Sequence, residues 1–217
     1  MKRSLPYVLF LFLASPFVHA MDIVPRIGVD AAYQQYVYLD NIDNAVTSDF
    51  GLGVNGGVTL VTNRFFIDVG VETANTNTMV NAGNVYTKGW RTERSITIGY
   101  RFAQKIWLTL GDQNLLYGSS VGAEDRGIMQ SPTFGFSLTN MEQEDFLFTV
   151  GFMWMPSITS DGISGVSSPN GSAGGLRLAW RKKGSPHLWS WKYRSYTPDI
   201  YSASDRVTKF SYSYLFL

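Results

Sequence analysis

The sequence feature that most limits the fold is a two-residue alternation of apolar and polar side chains. Residues 27–34 show it first, with apolar side chains at odd positions and polar or small ones at most of the even positions. The pattern recurs along the chain and ends in Phe210, Tyr212, Tyr214 and Phe216. Period-two alternation predicts β-strands with one apolar face. Ten strands are predicted when the less regular stretch 106–117 is included.

The predicted strands are long. Each covers about 9–13 residues, the length that crosses a bilayer when a strand is tilted. Strands of globular proteins average only about five or six residues. The strand lengths therefore favour a membrane-spanning barrel.

The connections between the predicted strands alternate between long and short. Long connections are predicted near 39–49, 74–88, 118–130, 156–171 and 198–204. Short ones are predicted at 62–64, 103–105, 139–145 and 182–187. Short turns at one rim and long loops at the other are typical of outer-membrane barrels, with both termini on the short-turn side.

The first residues predict export. Lys2 and Arg3 precede an apolar stretch at 5–18, and Val18-His19-Ala20 offers a small-x-small cleavage sequence. The apolar stretch is too short for a membrane-spanning helix. We therefore expect a signal peptide over residues 1–20.

The remainder, 21–217, is predicted to form one all-β domain. Removing the two basic leader residues from 18 leaves 16 basic side chains against 17 acidic ones. This balance argues against a nucleic-acid partner, which requires a basic surface. The chain has no cysteine, so disulfides do not stabilise the exported domain. No cofactor is expected.

The faces predicted to point inward carry charge. They include Asp30, Asp68, Glu72, Arg91, Glu93, Arg101, Arg177, Arg181, Lys192, Arg194 and Lys209. In a narrow barrel, acidic residues of the first, third and fourth strands can pair with basic residues of the last three. Such a charge network can close the barrel or line a thin watery path, and the sequence leaves both open.

A soluble, lipocalin-like barrel is the alternative, with the aromatic residues inside and the charges outside. Strand length and the sorted connections count against it. Aromatic residues near predicted strand ends also count against it, because membrane barrels carry such belts at the two interfaces. These residues are Tyr36, Tyr38, Trp90, Tyr100, Trp107, Trp154, Trp180, Trp189 and Trp191.

The leader, the sorted connections and the aromatic last strand together resemble the small outer-membrane β-barrel proteins of Gram-negative bacteria. The resemblance is architectural and covers residues 21–217. It implies a transmembrane antiparallel up-and-down barrel of ten strands, or eight as the fallback, in the outer membrane with both termini periplasmic. It also implies outer-membrane lipid and lipopolysaccharide as partners.

The resemblance further implies a role for the last strand. Phe210, Tyr212, Tyr214 and Phe216 match the assembly signal that the barrel-assembly machinery reads in this group. The usual signal ends on an aromatic final residue, whereas Leu217 follows here.

Catalytic residues are scarce. Hydrolytic barrels generally need a histidine base, and His187, beside Pro186 in a predicted periplasmic turn, is the only one outside the leader. We therefore expect His187 to be a structural residue and the protein to be no enzyme.

Two loop carboxylate pairs could hold a divalent cation, including one that bridges lipopolysaccharide. They are Asp40 with Asp43 and Glu124 with Asp125, but neither has calcium-loop spacing. We expect solvated surface charges and no metal site. Asn170-Gly171-Ser172 matches a glycosylation sequon, and the simpler interpretation is a Gly/Ser-rich loop.

The fifth strand has the weakest pattern. Its apolar row Ile106, Leu108 and Leu110 is followed by Asp112, which would face lipid unless a β-bulge shifts the register.

Three functions remain open at the level of sequence. The leading hypothesis is a non-enzymatic envelope protein that supports the membrane or binds an unknown external partner through its loops. The second is a narrow channel for small solutes. The third, a lipid- or peptide-modifying enzyme, is disfavoured by the histidine count.

Overall fold

The computed structural model describes residues 21–39, 44–76, 89–119, 127–143, 145–161, 171–198 and 204–217. These residues form ten strands: β1 (Asp22–Leu39), β2 (Asn44–Val61), β3 (Phe65–Thr76), β4 (Gly89–Ala103), β5 (Ile106–Ser119), β6 (Gly127–Gln143), β7 (Phe146–Asp161), β8 (Gly171–Lys182), β9 (His187–Pro198) and β10 (Ser204–Leu215). The predicted signal peptide lies outside the described residues.

The ten strands close into one antiparallel barrel. Each strand pairs with its neighbours in sequence, and β1 pairs with β10. The predicted fold, an all-β up-and-down barrel of ten strands, is confirmed, and the eight-strand fallback is wrong. The described residues include no helix of the length and apolar character needed to span a membrane.

The strands are longer than the sequence pattern predicted. They contain between 12 and 18 residues, and residues 44–49, predicted as loop, continue the ladder until Asn44 pairs with Leu39. The cause is that strand pairing depends on the backbone, whereas the sequence pattern depends on side chains. Beyond the apolar belt the side chains stop alternating but the backbone ladder goes on.

The strands are strongly staggered. The ladder of paired residues that starts at Asp22 passes once around the barrel and returns to β1 at Gln34, twelve residues further along. Closing ten strands with this stagger requires them to tilt by about 40° from the barrel axis. The tilt brings side chains from distant rows of the ladder to the same height.

The two faces of the wall differ as the membrane assignment requires. On the outside, Leu52 is 66% exposed and Phe102 is 69% exposed. On the inside, Asp30 is only 4% exposed, and in the last strand the inward Lys209 is buried while its neighbour Phe210 is exposed outside. The soluble alternative, which places the aromatic residues inside and the charges outside, is therefore wrong.

One aromatic residue is an exception. Trp107 was expected in an interfacial belt, but it faces inward and is buried. It packs against Phe66, with ring centroids 5.1 Å apart, and the Arg101 guanidinium lies 4.8 Å from its ring centroid. Trp107 follows Ile106 directly, so the alternation places it on the lumen side.

The other predicted belt residues divide into two groups. Tyr100, Trp154, Trp180, Trp189 and Trp191 lie on the outward faces of their strands. The side chains of Tyr36, Tyr38 and Trp90 lie outside the described part of the structure.

The fifth strand contains no bulge at Asp112. Its pairing with both neighbours is continuous there, with Asp112 opposite Ile96 on β4 and Pro132 on β6. Asp112 therefore lies on the outer face. The register shifts of the barrel occur elsewhere, including one between Gln130 and Phe134 on β6.

A close approach inside the barrel gives a test of the packing. Gly99 faces inward, and a Cβ atom there would lie 2.0 Å from a carbon of the Phe66 ring. We expect Gly99→Val to lower the free energy of unfolding by about 1–3 kcal/mol, because overpacking displaces the ring. Urea denaturation of the folded barrel in lipid vesicles measures this.

Gly174→Val is the matched control, because a Cβ atom at Gly174 meets nothing within 4 Å. Equal urea midpoints for the two variants would contradict the described packing of Phe66.

Candidate functional site

The candidate site is the charged lumen, and its part nearer the turns is organised by Arg26. The Arg26 guanidinium contacts both carboxylate oxygens of Asp68, at 2.5 and 3.0 Å. Thr59 donates to Asp68 at 2.5 Å and accepts from Arg26 at 3.0 Å. Gly57 and Gly70 leave room for this group, since a Cβ atom at either would lie within 3 Å of the Arg26 Nη2 atom. The result is a two-pronged ion pair across β1–β3.

A second cluster lies nearer the loops and contains Glu72. The Lys192 ammonium lies 2.5 Å from the Glu72 carboxylate. Lys209 forms an ion pair with the other oxygen of the same carboxylate. One carboxylate on β3 is therefore shared by two lysines from β9 and β10.

Glu93, the direct neighbour of Glu72 across the β3–β4 ladder, has its own partners. Arg194 lies 3.5 Å and Arg91 3.6 Å from the Glu93 carboxylate, and the Gln113 amide donates to it. Glu72 and Glu93 form an acidic pair on one wall of the barrel.

The ion pairs of this cluster cross the lumen. β4 and β9 are five strands apart in either direction around a ten-stranded barrel, so they lie on opposite walls. Arg194 on β9 and Glu93 on β4 therefore meet across the full width of the lumen. The Lys192–Glu72 pair links walls that are four strands apart. At this height ion pairs span the lumen.

Asp30 belongs to a third group, at the seam where the barrel closes. Asn55 donates to Asp30 at 2.7 Å, and Ser213 donates to the Asn55 carbonyl oxygen at 2.9 Å. This chain of hydrogen bonds joins β2, β1 and β10. The Asp30 carboxylate thus accepts a hydrogen bond from the Asn55 amide, whereas the sequence analysis predicted a cationic partner for it.

Basic side chains outnumber acidic ones inside the barrel. Among residues whose side chains are described, eight basic ones face inward: Arg26, Arg91, Arg101, Arg177, Arg181, Lys192, Arg194 and Lys209. Five acidic ones do: Asp22, Asp30, Asp68, Glu72 and Glu93. Asp22 is exposed at the rim. The described lumen therefore has a positive excess.

Three of the inward arginines lie outside the ion pairs. Arg101 lies over the Trp107 ring, and neither Arg177 nor Arg181 forms a salt bridge with any residue that the structure describes. Arg177 is exposed although it points inward, so the lumen has open space beside it.

The structure places all eleven charged residues singled out from the sequence at inward positions. It brings Glu72 and Glu93 together with Lys192, Arg194 and Lys209, and it leaves Arg101, Arg177 and Arg181 outside the ion pairs. Sequence reasoning missed Arg26, although its position one residue before Ile27 placed it on the inward face.

His187 is not part of the lumen. It begins β9 on the outward face beside the turn, and its Nδ1 atom lies 2.7 Å from the Tyr212 hydroxyl oxygen. Its ring also packs against Tyr214, edge to face. These contacts make it part of the aromatic surface formed with the last strand.

Several other sequence candidates cannot be placed. Asp40, Asp43, Glu124, Asp125 and Asn170 lie outside the described residues. In the part that is described, no group of three or more histidine or carboxylate residues could hold a metal ion. Phe210 and Tyr214 are exposed on the outer face, and their recognition by the assembly machinery stays a prediction.

The fold has known counterparts, although no protein family and no curated protein matches the sequence. The chain is similar to the outer-membrane protease OmpT from Escherichia coli, with a TM-score of 0.53 and 11% identity over 93% of this chain and 100% of that one. The chain has the fold of an outer-membrane β-barrel. The resemblance predicted from the sequence is confirmed at this level.

Weaker likenesses exist to the outer-membrane protein AlkL, with a TM-score of 0.43, 12% identity and 93% of each chain covered. An outer-membrane channel from Pseudomonas putida F1 has a TM-score of 0.42 and 10% identity over 93% of this chain and 99% of that one. TM-scores this low support no inference about function.

The Arg26–Asp68 pair gives a testable energetic prediction. Both side chains are less than one-fifth exposed, so Arg26→Met leaves a partly buried carboxylate without its main partner. We expect this variant to lose about 2–3 kcal/mol of unfolding free energy. The double variant Arg26→Met/Asp68→Leu should recover most of the loss, because it buries no unpaired charge. Equal losses in urea titrations of both variants would contradict a coupled pair.

Proposed function

We propose that this protein is a non-enzymatic outer-membrane barrel whose lumen is closed at rest and whose external loops carry its role in the envelope. In this proposal both termini are periplasmic and the long connections face outward from the cell. The observation that carries it is the ion pair between Arg194 and Glu93, which joins opposite walls.

The closure follows from charge and geometry. Glu72 and Glu93 lie side by side on β3 and β4, and three cations reach them from β9 and β10. A solute that passed this height would have to separate these pairs and leave carboxylates and cations without partners. Breaking paired charges away from bulk water costs several kcal/mol. The pairs therefore act as a barrier to permeation.

The absence of catalysis is part of the same proposal. Its support is that His187, the only described histidine, lies on the outer face beside a turn and contacts Tyr212. Acid–base catalysis on a peptide or lipid needs a base within hydrogen-bond reach of the substrate and a partner that orients it. The likeness to a protease is a likeness of fold and adds no catalytic group.

A narrow anion channel is the second candidate. The positive excess of inward side chains and the exposed position of Arg177 inside the barrel favour it. A narrow lumen with excess positive charge attracts anions and repels cations. This candidate requires the cross-lumen pairs to be open in the resting protein.

Planar-bilayer recordings separate the two candidates. We expect the native protein to be silent across the usual voltage range. Glu72→Gln with Glu93→Gln should produce steady conductance that favours anions, because Lys192, Lys209 and Arg194 lose their partners and repel one another. Reversal potentials under a salt gradient measure the selectivity.

Asp30→Asn is the matched control, since it also removes a lumen carboxylate but belongs to no cross-lumen pair. It should remain silent. Steady conductance of the native protein would reject the closed barrel and favour the channel. A silent double variant would show that other side chains close the lumen.

A further inference from the structure

The outward apolar rows differ in length from strand to strand, and the rows on β4 and β5 are among the short ones. On β2 the outward apolar row runs from Leu60 near the turn to Phe50, interrupted only by Gly56. On β4 the corresponding row starts at Phe102 and ends at Ile96, and on β5 it ends at Leu110. The rows begin at the same rim, so the shortfall on β4 and β5 lies toward the loops.

The difference in row length between β2 and β4 approaches the thickness of one apolar leaflet. With about 3.3 Å per residue and a tilt of about 40°, the ten steps of the β2 row span about 25 Å along the barrel axis. The six steps from Phe102 to Ile96 span only about 15 Å by the same reasoning. The apolar belt of outer-membrane barrels is about 25 Å tall. The apolar row on β4 is therefore about 10 Å shorter than the row on β2, and polar side chains follow it toward the loops.

These outward polar side chains form what we call the polar notch: Thr73, Thr92, Arg94, Asp112, Asn114 and Gln130. Some of them satisfy one another. The hydroxyl oxygens of Thr73 and Thr92 lie 2.5 Å apart. Asn114 and Gln130 donate to one oxygen of Asp112, at 3.4 and 3.1 Å. The side-chain amides of Asn114 and Gln130 thus stabilise the Asp112 carboxylate by hydrogen bonds.

Arg94 differs from the rest of the notch. Its side chain is exposed on the outer face, and it has neither a hydrogen-bond nor an ion-pair partner among the described residues. A basic side chain on the lipid face of a barrel is destabilising unless it reaches polar surroundings. Arg94 therefore calls for an anionic partner in addition to the residues that the structure describes.

A groove descends from the polar notch toward the turns. Its volume is about 410 Å³, and Arg94, Asp112 and Asn114 line its upper end. Gly56 has no side chain and forms a depression between Val58 and Val71 in the lower, apolar part. A polar upper end above an aliphatic channel matches one kind of molecule, a lipid with its headgroup above and a chain below.

We propose that the polar notch and its groove bind lipopolysaccharide of the outer leaflet. Arg94 donates to a phosphate of the lipid, because a guanidinium pairs with phosphate through charge-assisted hydrogen bonds. Thr73, Thr92 and Asn114 contact sugar hydroxyls, and an acyl chain occupies the groove beside Gly56. The site rests on the proposed function for its orientation, with the loop rim outside the cell.

Lipopolysaccharide fits better than a phospholipid because the notch crosses four strands, from Thr73 on β3 to Gln130 on β6. Strands lie about 4.8 Å apart, so the notch is about 15 Å wide. A phosphorylated disaccharide can cover that width, whereas a glycerophosphate group reaches only part of it.

The test uses purified protein in nanodiscs of neutral phosphatidylcholine, titrated with labelled lipopolysaccharide. Arg94→Gln should weaken binding about ten-fold or more, the loss expected for one charge-assisted hydrogen bond. Arg206→Gln is the matched control, because Arg206 is also exposed on the outward face near the loop rim, but on β10. It should bind like the native protein.

A second pair of variants tests the groove. Gly56→Leu fills the depression, and its Cβ atom would meet only the Arg26 carbonyl oxygen, at an ordinary 3.6 Å. It should weaken lipopolysaccharide binding without loss of folding. Gly174→Leu adds the same side chain to open space on β8, and we expect it to leave binding unchanged.

Three results would overturn the proposal. One is equal affinity of the Arg94→Gln and native proteins. Another is equally tight binding and full competition by phosphatidylglycerol, which would assign the notch to any lipid phosphate. The third is a dimer in detergent that Arg94→Gln dissociates, which would assign it to a second copy of the chain. Conductance is recorded without lipopolysaccharide, so failure of the closed-lumen proposal is read out separately.

Discussion

The pairing of β1 with β10 is the interaction on which the rest of the structure depends. An unpaired backbone N–H or C=O group costs several kcal/mol in hydrocarbon, so a sheet can span a membrane only when it has no open edge. The two strands pair from Arg26 with Leu215 to Val37 with Ser204. The hydrogen bonds from Ser213 through Asn55 to Asp30 support the same seam from inside. Closure therefore requires the last residues of the chain, and the aromatic terminal strand forms part of the wall.

The charged interior is a consequence of that closure. Because most outward positions are apolar, most of the charged side chains lie in the lumen. A ten-stranded barrel is narrow enough for long side chains on opposite walls to meet. Glu72 and Lys192 are 120 residues apart in sequence, and Glu93 and Arg194 are 101 apart, yet both pairs form direct ion pairs. The carboxylates of these pairs lie on β3 and β4 and the cations on β9 and β10, so the pairs tie opposite walls of the barrel together.

The sequence predicted much of this, and the limits have physical causes. Alternation predicts which face a residue occupies, so the inward positions of Glu93 and Arg194 followed from pattern alone. Their partners did not, since height in the lumen depends on the stagger, which is set by backbone pairing around all ten strands. For the same reason Asp30 was expected to meet a cation and instead meets Asn55. Trp107 was assigned to the interfacial belt because it is a tryptophan. Its position in the inward–outward alternation of β5 places it inside, and that alternation predicts the face better than the residue type does.

On the outer wall, the polar side chains around Asp112 depart from the alternation of apolar outward and polar inward residues. The backbone ladder is continuous through Asp112, so a bulge does not explain a carboxylate on the lipid face. Arg94, Asn114 and Gln130 are direct neighbours in the register, and they place polar groups side by side on three successive strands. A single polar residue on this face could be accommodated by local thinning of the bilayer. A row of them on adjacent strands, next to the depression at Gly56, has the dimensions of a lipid headgroup and its chain. In the proposed complex the alternation rule fails at the polar notch because the surroundings there are a headgroup and not an acyl chain.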